Sequence, residues 1–507
     1  MSEPSRPRRP WLAAVLSFIV PGLGQAYAGR WWLAAVFAVP VLLLALVIGG
    51  IVVFGDRVRL DIFSSGFIVG LLVVDVALFA WRAASIAQVG LEPARAEAAE
   101  GGPAPRRRIR DVAAVVVLLA ASLAMHAYVG SILGTLDRTL DQVFAGEDNR
   151  PPPGDGQQAE APPDEPPDEP INEPTYRWDG EERINFLLLG IDAGPGREEA
   201  LTDTILVVSI DPVARSAAMI SVPRDTGFVP LPDQSIFSEG RFPEKINGLA
   251  TVAEAQHELW CPDLRSARSC GLRTLERAVS LYLGIPIHYY ATVDLTGFAE
   301  LIDALGGVEL CLPGQLIDPE YSGPTWAPRY GIELAAGCHR YGGPEALAFA
   351  RIRKGWIEMP DGSQDFQNDF DRSERQQEVL LALRAEMAEA NLVFELPATL
   401  EAVGNTVSTD FPRRQAGNLA SLLPLITGPE IERLVLGYPE YVDAPVDPNT
   451  NYLLIPRRDA IRDAMGELFG ADALEGWYLG SDEPLPPVES EPPEQTVSRR
   501  PPPVTAG

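Results

Sequence analysis

Four apolar runs crowd the first 134 residues of this 507-residue chain, at about Trp11 to Ala28, Trp31 to Phe54, Ile62 to Trp81 and Val112 to Gly134. The last three come close to the ~20 residues that a helix needs to cross a bilayer. Backbone N–H and C=O groups in hydrocarbon find no water, so runs of this kind are restricted to helices. Arg6, Arg8 and Arg9 precede the first run, and Arg82, Arg95, Arg106, Arg107, Arg108 and Arg110 fill the connection before the last. That bias puts both stretches on the cytoplasmic side. Two cytoplasmic ends require an even number of crossings between them, so one of the three runs lying there does not span. The first is expected to be that one: Pro21-Gly22 and Gly24 break it and it carries Gln25. The alternative is a kinked full span. Asp75 in the third run is an intramembrane acid, which marks either function or a nearby polar partner. The region reads as a multipass anchor in the cell membrane rather than a cleaved signal peptide, and its last crossing carries everything after Gly134 outside.

The expected organisation is therefore an anchor over 1–135 (spans about 31–54, 62–82 and 112–134, with 11–28 membrane-associated), a linker over 136–182, a folded domain over 183–471 and a tail over 472–507. Arg150 to Pro174 is Pro-rich and acidic (PPPGDGQQAEAPPDEPPDEPINEP), a composition that stays extended and packs no core. The tail, with EPLPPVESEPPEQ, has the same character. A formal net charge of -29 argues against a nucleic-acid partner.

Within the external domain, carboxylates and arginines sit at the ends of strand-like runs. Asp192 ends INFLLLG-ID and Asp203 opens TILVVSI, so adjacent strands bring both acids to one sheet edge. Arg224 follows AAMISVP, and Arg351 and Arg353 close ALAFARIR, where strand alternation turns both guanidiniums to one face. Arginine forks bind phosphate oxygens, and carboxylates hold the same phosphates through a shared hard cation. This order suits a magnesium-bound pyrophosphate. Each piece alone has a bland reading: a strand-end Asp is usually a turn or cap residue, and RSERQQ on a helix is by default a polar face. Strands are expected at Ile184–Leu189, Thr204–Ile210, Ala217–Val222, Tyr289–Val293, Val308–Leu312, Ala348–Ile352 and Arg433–Leu436. Helices fit Ile246–Leu259, Leu272–Leu283, Thr296–Leu305, Arg372–Ala390, Pro412–Leu425 and Arg458–Phe469. The order predicts an α/β domain, a central mixed sheet flanked by helices on both faces. No P-loop or internal repeat is present.

With LLLGID, TDTILVVSID, SVPRDT, KIN, HYYATVDLTGFAELIDALGGVEL, ALAFARIR and DFDRSERQQ in this order, the chain resembles the LytR-CpsA-Psr family over about 290 residues, Arg183 to about Phe469. The resemblance implies a membrane-anchored phosphotransferase that moves a glycopolymer from a polyprenyl pyrophosphate carrier to a cell-wall acceptor. By motif it implies magnesium on Asp192 and Asp203, and pyrophosphate on Arg224, Arg351, Arg353 and Arg372, with Gln376 and Asp369 at the remaining motif positions. Asp369 or Asp371 is the candidate general base, Asp371 being equally an N-cap. In one departure, the family's usual Arg two residues before the second metal Asp is Leu201 here; Arg197 in the AGPGREE loop either substitutes or the site has one contact fewer. Hydrolysis by water, and a non-catalytic lipid-binding regulatory role, are the alternative functions.

Cys261, Cys270, Cys311 and Cys338 all lie in the external part, which suggests two disulfides. Three pairings are possible; Cys261 with Cys270 and Cys311 with Cys338 are expected. Metal binding by these cysteines is the competing reading, without CxxC spacing or a ligand pattern among His126, His257, His288 and His339 to support it. The topology is tested by a Gly101→Cys variant on intact cells. A membrane-impermeant maleimide is expected to leave it unlabelled until lysis, and labelling before lysis overturns the three-span topology.

Overall fold

The structure, a computed structural model, describes residues 9–54, 64–99, 105–144, 178, 180, 182–192, 201–233, 235–237, 239–262, 264, 266–324, 330–389, 399, 401–420, 422, 431–443 and 452–470. The acidic Pro-rich spacer and the expected tail lie outside these residues.

Five helices come first: α1 (Pro10–Ile19), α2 (Leu23–Tyr27), α3 (Trp31–Phe54), α4 (Ser65–Ala99) and α5 (Pro105–Val143). The first apolar run is broken as its sequence requires. Gly22 takes φ 103°, and a Cβ there would meet the Ala34 carbonyl oxygen at 2.5 Å. The 10 residues of α1 rise only about 15 Å, half a bilayer. Gln25 is buried against α4, donating to the Ser85 carbonyl at 3.0 Å and accepting from Ser17 Oγ at 3.0 Å. Asp75 of α4 meets Nδ1 of His126 on α5 at 2.7 Å. Val73, Val76, Val117 and Leu123 point outward. Polar groups inside and apolar side chains outside is the reverse of a water-soluble bundle and fits hydrocarbon surroundings. Among the described residues, Ser65–Leu91 and Ile109–Val143 are long and apolar enough to cross a membrane. α5 does not stop at Gly134. Its last turns dock on the domain, where Asp137 and Asp141 both pair with Arg413 and Phe144 packs on Phe411 at 6.2 Å.

The domain opens with β1 (Ile184–Asp192), β2 (Leu201–Asp211) and β3 (Ser216–Ser221), then the short pair β4 (Val229–Pro230) and β5 (Arg241–Phe242). Helices α6 (Leu249–Ala255), α7 (His257–Trp260) and α8 (Ala267–Leu283) lead to β6 (Tyr289–Asp294) and α9 (Leu295–Ala304). Next come β7 (Val308–Leu312), β8 (Gln315–Ser322), β9 (Tyr330–Leu334), β10 (Gly337–Tyr341), α10 (Gly343–Phe349), β11 (Trp356–Glu358), β12 (Gln364–Phe366) and α11 (Asp369–Glu389). The described chain closes with β13 (Val407–Thr409), α12 (Ala416–Ala420), β14 (Ile431–Val435), β15 (Val442–Asp443), β16 (Ile455–Pro456) and α13 (Arg458–Phe469). The central sheet has the order β13-β6-β1-β2-β3-β14 and is mixed: β1 runs antiparallel to β2 and parallel to β6. Leu187, Leu189, Ile205, Val207 and Ile220 face one core together with Leu249, Leu275 and Ile461 of α6, α8 and α13. Ile184, Ile210, Ala217 and Tyr289 face the opposite side. The α/β class and the helices on both faces are as expected.

Two expected strands differ. Ala348–Ile352 is the end of α10 and the turn after it. A short apolar run is ambiguous by pattern alone, and here Gly342-Gly343-Pro344 starts a helix whose Ala346, Leu347, Ala348 and Phe349 are all buried. Gly343 makes this possible: its N–H donates to Asp303 of α9 at 2.7 Å, and a Cβ would meet the Ala299 carbonyl oxygen at 2.1 Å. Val308–Leu312 is a strand, but among the described residues it pairs with β10 alone, outside the central sheet. Cys311 and Cys338 face each other across that pair and are bonded, and Cys261 with Cys270 joins α7 to α8. Both disulfides are the expected ones.

α11 ties the domain together. Asn368 caps it, accepting from Phe370 N–H at 2.7 Å, and the Asp371 carboxylate accepts from Asn368 N–H at 2.7 Å, a reciprocal capping box. Farther on, RSERQQ is mostly a packed face rather than a polar one. Gln377 donates to Ser221 Oγ (2.9 Å) and the Leu434 carbonyl (3.0 Å), fixing the helix on β3 and β14. The buried Arg375 donates to the Phe349 carbonyl (2.9 Å), the Ile352 carbonyl and Gln367 Oε1. Burial pulls its pKa down to about 10, so it is charged at neutral pH. Replacing it by Leu leaves these acceptors unsatisfied at a cost on the order of 3 kcal/mol or more. Denaturant unfolding is expected to register that loss, with Arg375→Lys recovering only part of it.

Candidate functional site

A β-bulge builds the first half of the site. Gly190 pairs with Thr204 and Ile191 with Thr202, so Asp203 is an extra residue with no partner across the hairpin. Gly190 is required there, since a Cβ would meet Thr204 Oγ1 at 2.7 Å. Asp192 stands opposite Leu201 at the same hairpin end; its side chain is outside the described atoms. The neighbouring strand β3 delivers the turn Pro223–Thr226, which is clamped on both sides: Thr226 N–H to Pro223, Asn247 N–H to Arg224, and Leu454 N–H to the Asp225 carbonyl at 2.9 Å. The second half is the start of α11, with Asp369 and Arg372 one turn apart.

These elements bring charges into direct contact. Arg224 Nη1 donates to Asp203 Oδ1 at 2.8 Å, and its Nη2 lies 3.6 Å from Asp369 Oδ1. Arg372 Nη2 donates to Asp369 Oδ2 at 3.1 Å and to the Asp203 carbonyl at 3.2 Å. Lys245 Nζ is 2.8 Å from Asp225 Oδ1 and 5.9 Å from the ring centre of Tyr452. Burial, the largest influence, pushes the Asp369 carboxyl above its usual range despite Arg372 and Arg224. Burial also lowers Arg372. It works against Arg224 too, but there Asp203 and Asp369 win and the pKa is raised. Among the described residues, Nε of Arg224 and Nε of Arg372 are both buried without a hydrogen-bond acceptor. Such orphaned donors are rare and costly.

Four residues singled out by sequence therefore meet: Asp203, Arg224, Asp369 and Arg372. Arg351 is half-buried in the turn after α10 and Arg353 is exposed two residues on, so the shared strand face expected for them is replaced by a helix end and a turn. Gln376 donates to the Ala350 carbonyl at 3.3 Å and thus supports that turn. Asp371 is engaged in the helix cap. Leu201 is half-buried, and Arg197 lies outside the described residues. Asp225, Lys245, Tyr452 and Arg375 were missed as site or supporting residues; Asp225, Lys245 and Arg375 stand in the motif strings SVPRDT, KIN and DFDRSERQQ, and nothing local marks Tyr452. His288 is structural: its Nδ1 accepts the Asn185 N–H at 2.9 Å, and burial pushes its pKa down to about 4.

The donor set suits a hard cation only with help from a ligand. Among the described residues no group of three or more His, Cys, Asp or Glu is arranged to hold a metal by itself. Magnesium usually takes one or two carboxylates plus phosphate oxygens. Asp203, Asp225 and Asp369 nearly balance Arg224, Arg372 and Lys245, so an added pyrophosphate brings charge that these cations alone do not offset. All of the acids are oxygen donors, and Asp203 is 26% exposed, which fits the group.

The chain is 28% identical over 292 residues to "Polyisoprenyl-teichoic acid--peptidoglycan teichoic acid transferase TagU" of Halalkalibacterium halodurans, covering 57% of this chain and 79% of the relative. It is 31% identical over 230 residues to "Regulatory protein MsrR" of Staphylococcus aureus, where it spans 57% of the relative's length. A crystal structure of TagV from B. subtilis matches with TM-score 0.42 and 24% identity over 58% of this chain and 98% of that one. The model of the LytR_cpsA_psr family matches residues 157–461, more than half of the chain and the whole of the described site, and the chain belongs to that family.

Proposed function

We propose that the external domain transfers a glycopolymer from a polyprenyl pyrophosphate carrier to a hydroxyl of a cell-wall acceptor. The observation that carries this reading is the pair of buried guanidinium donors, Nε of Arg224 and Nε of Arg372, which lack acceptors although the carboxylates of Asp203 and Asp369 lie among them. Phosphate oxygens supply acceptors of the right charge and fork geometry. The names of the transferase relatives support the same substrate class. The topology read from the arginines, three crossings with the domain outside, belongs to this proposal.

In the proposed step an acceptor oxygen attacks the phosphorus next to the sugar. A new P–O bond forms, the P–O bond to the bridging oxygen breaks, and polyprenyl phosphate leaves with that oxygen. Asp369, the carboxylate between Arg224 and Arg372, takes the hydroxyl proton; a raised pKa suits a general base. Arg224 and Arg372, with Arg351 and Arg353, hold the phosphate oxygens through a reaction that is mostly a matter of positioning and charge stabilisation. Magnesium, held by Asp203 and Asp192 together with phosphate oxygens, would supply neutralisation of the pyrophosphate charge. Gln376 keeps the Arg351 turn in place.

The acids and the arginines are expected to fail differently. Asp203→Asn retains an acceptor for Arg224 and is expected to remove the magnesium dependence of turnover. Arg351→Ala is expected to weaken lipid pyrophosphate binding by about 1.5 to 3 kcal/mol, roughly ten- to a hundredfold, with or without metal. Parental transfer rates in either folded variant refute the site assignment; turnover with water alone as acceptor makes the enzyme a hydrolase instead.

A pH profile isolates Asp369. Because its carboxyl is raised above the usual range, kcat/KM is expected to fall as pH drops through that raised value, where the base becomes protonated. Asp369→Asn should lose most activity and lose this acid limb with it. An unchanged limb in the residual activity assigns the ionisation to another group.

A further inference from the structure

The four-stranded sheet β12-β11-β8-β9 contributes no group to the site, yet it is spliced into it. Its register sorts side chains into two faces, because cross-strand partners share a face and neighbours along a strand alternate. Ile357, Leu316 and Leu334 form one row and are core residues. The adjacent row, Phe366, Trp356, Ile317 and Glu333, lies on the other face. Gln364, Glu358 and Gln315 form the next row on that same face. This face is open to solvent: Phe366 is 68% exposed, and its ring centre is 6.4 Å from that of Trp356. Gln315 Nε2 donates to Glu333 Oε2 at 3.3 Å, so the polar groups form a ledge along the aromatic pair.

The chemistry of the face selects its occupant. The two rings, tilted 49° to one another, offer an apolar surface to the C–H face of a sugar, and the carboxylates and amides beside them accept from and donate to hydroxyls. Glu333 and Glu358 are unmatched by any Lys or Arg in these rows, which disfavours a polyanion. The nearby Lys354 is engaged with Glu320 at 3.8 Å. An uncharged polyol strand fits. Chain connectivity also fixes where such a strand would lie. Phe366 is three residues before Asp369 and Trp356 three residues after Arg353, and three residues reach at most about 11 Å.

We infer that this face binds the acceptor, a neutral carbohydrate strand that stacks on Phe366 and Trp356 and presents its hydroxyl toward Asp369. The inference rests on the transfer reading above and adds to it a separate place for the second substrate. The anionic donor goes to the arginines and the neutral acceptor to the acid-lined aromatic face. Like charge keeps the two apart.

The test uses the full-length chain in detergent with soluble chitooligosaccharide, an uncharged glycan strand, as probe and inorganic polyphosphate as the anionic contrast. Phe366 is exposed, so Phe366→Ala is expected to fold normally. It should weaken strand binding by about three- to tenfold, the effect of one aromatic stacking partner. Glu358→Gln, which removes a charge and keeps the shape, should weaken it as well. The KM for the strand should rise in step, with kcat and lipid pyrophosphate binding unchanged, and polyphosphate should not compete for the face. Absence of strand binding by the parent overturns the inference, as does equal binding by parent and Phe366→Ala, or a parallel loss of lipid binding. If the parent binds strands through Phe366 but transfers nothing to them, the acceptor face stands and the transfer reading falls.

Discussion

The guanidinium of Arg375 is where the parts of the α/β domain are fastened to one another. It is buried, and it donates to the end of α10, to the turn carrying Arg351 and to Gln367, just ahead of the Asn368 cap. A buried cation survives in a protein only with nearly all of its donors satisfied. Here that requirement fixes three segments at once. The helix that carries it is in turn seated on β3 and β14 by Gln377, itself accepting from Arg433 at 3.1 Å. Movement of any of these segments exposes an unpaired charge, so Arg372 and Asp369, about one and two turns earlier on the helix, inherit a fixed position relative to Asp203 on the sheet.

Against that rigid frame the site is conspicuously unfinished. Arg224 pairs with the carboxylates of Asp203 and Asp369 and Arg372 with that of Asp369, but each retains a buried Nε–H without an acceptor among the described residues. A protein that merely needed stability would gain by replacing such a cluster with apolar side chains. Keeping it makes sense where a ligand completes it, since donors held in place before binding cost no reorganisation during the reaction. The raised carboxyl of Asp369 has the same origin: burial has removed water from a group whose partners are only partly sufficient.

The membrane end is joined to this frame by a continuous helix. α5 carries His126, paired with Asp75, at one level and Asp137 and Asp141, paired with Arg413, further along. Arg413 follows Phe411, which packs on Tyr289 of the central sheet at 4.7 Å. Gly404 lets the chain pass close to α5; a Cβ there would meet Gln142 Oε1 at 2.5 Å. Docking on α5 therefore fixes the orientation of the domain relative to that long apolar helix.

Much of this was legible in order and spacing. Apolar runs and arginine bias mark the anchor because bilayer thickness and backbone hydrogen bonding leave few solutions, and Pro21-Gly22 shows where the first run breaks. Strand ends carrying Asp192, Asp203 and Arg224 could be read because sheet edges gather residues from adjacent runs, and α13 was bounded correctly at Arg458–Phe469 by its amphipathic period. The cysteine pairing was readable from loop length, given four cysteines on one side. Tertiary structure decided the rest. The first half of ALAFARIR is helical and the rest a turn because Gly343 packs against the α9 backbone, a contact forty-odd residues distant in sequence that no local pattern contains. Asp203 is aimed by a one-residue bulge opposite Gly190, which a regular alternation of strand residues cannot anticipate. Asp225, Lys245 and Tyr452 enter the site through long-range hydrogen bonds that lock the Pro223–Thr226 turn, and Arg375 turns from a surface charge into a buried clasp only when α10 closes over it. Local sequence determines which groups are available and roughly where each element starts; which of those groups lose their water, and therefore which acquire chemistry, depends on packing between segments far apart in the chain.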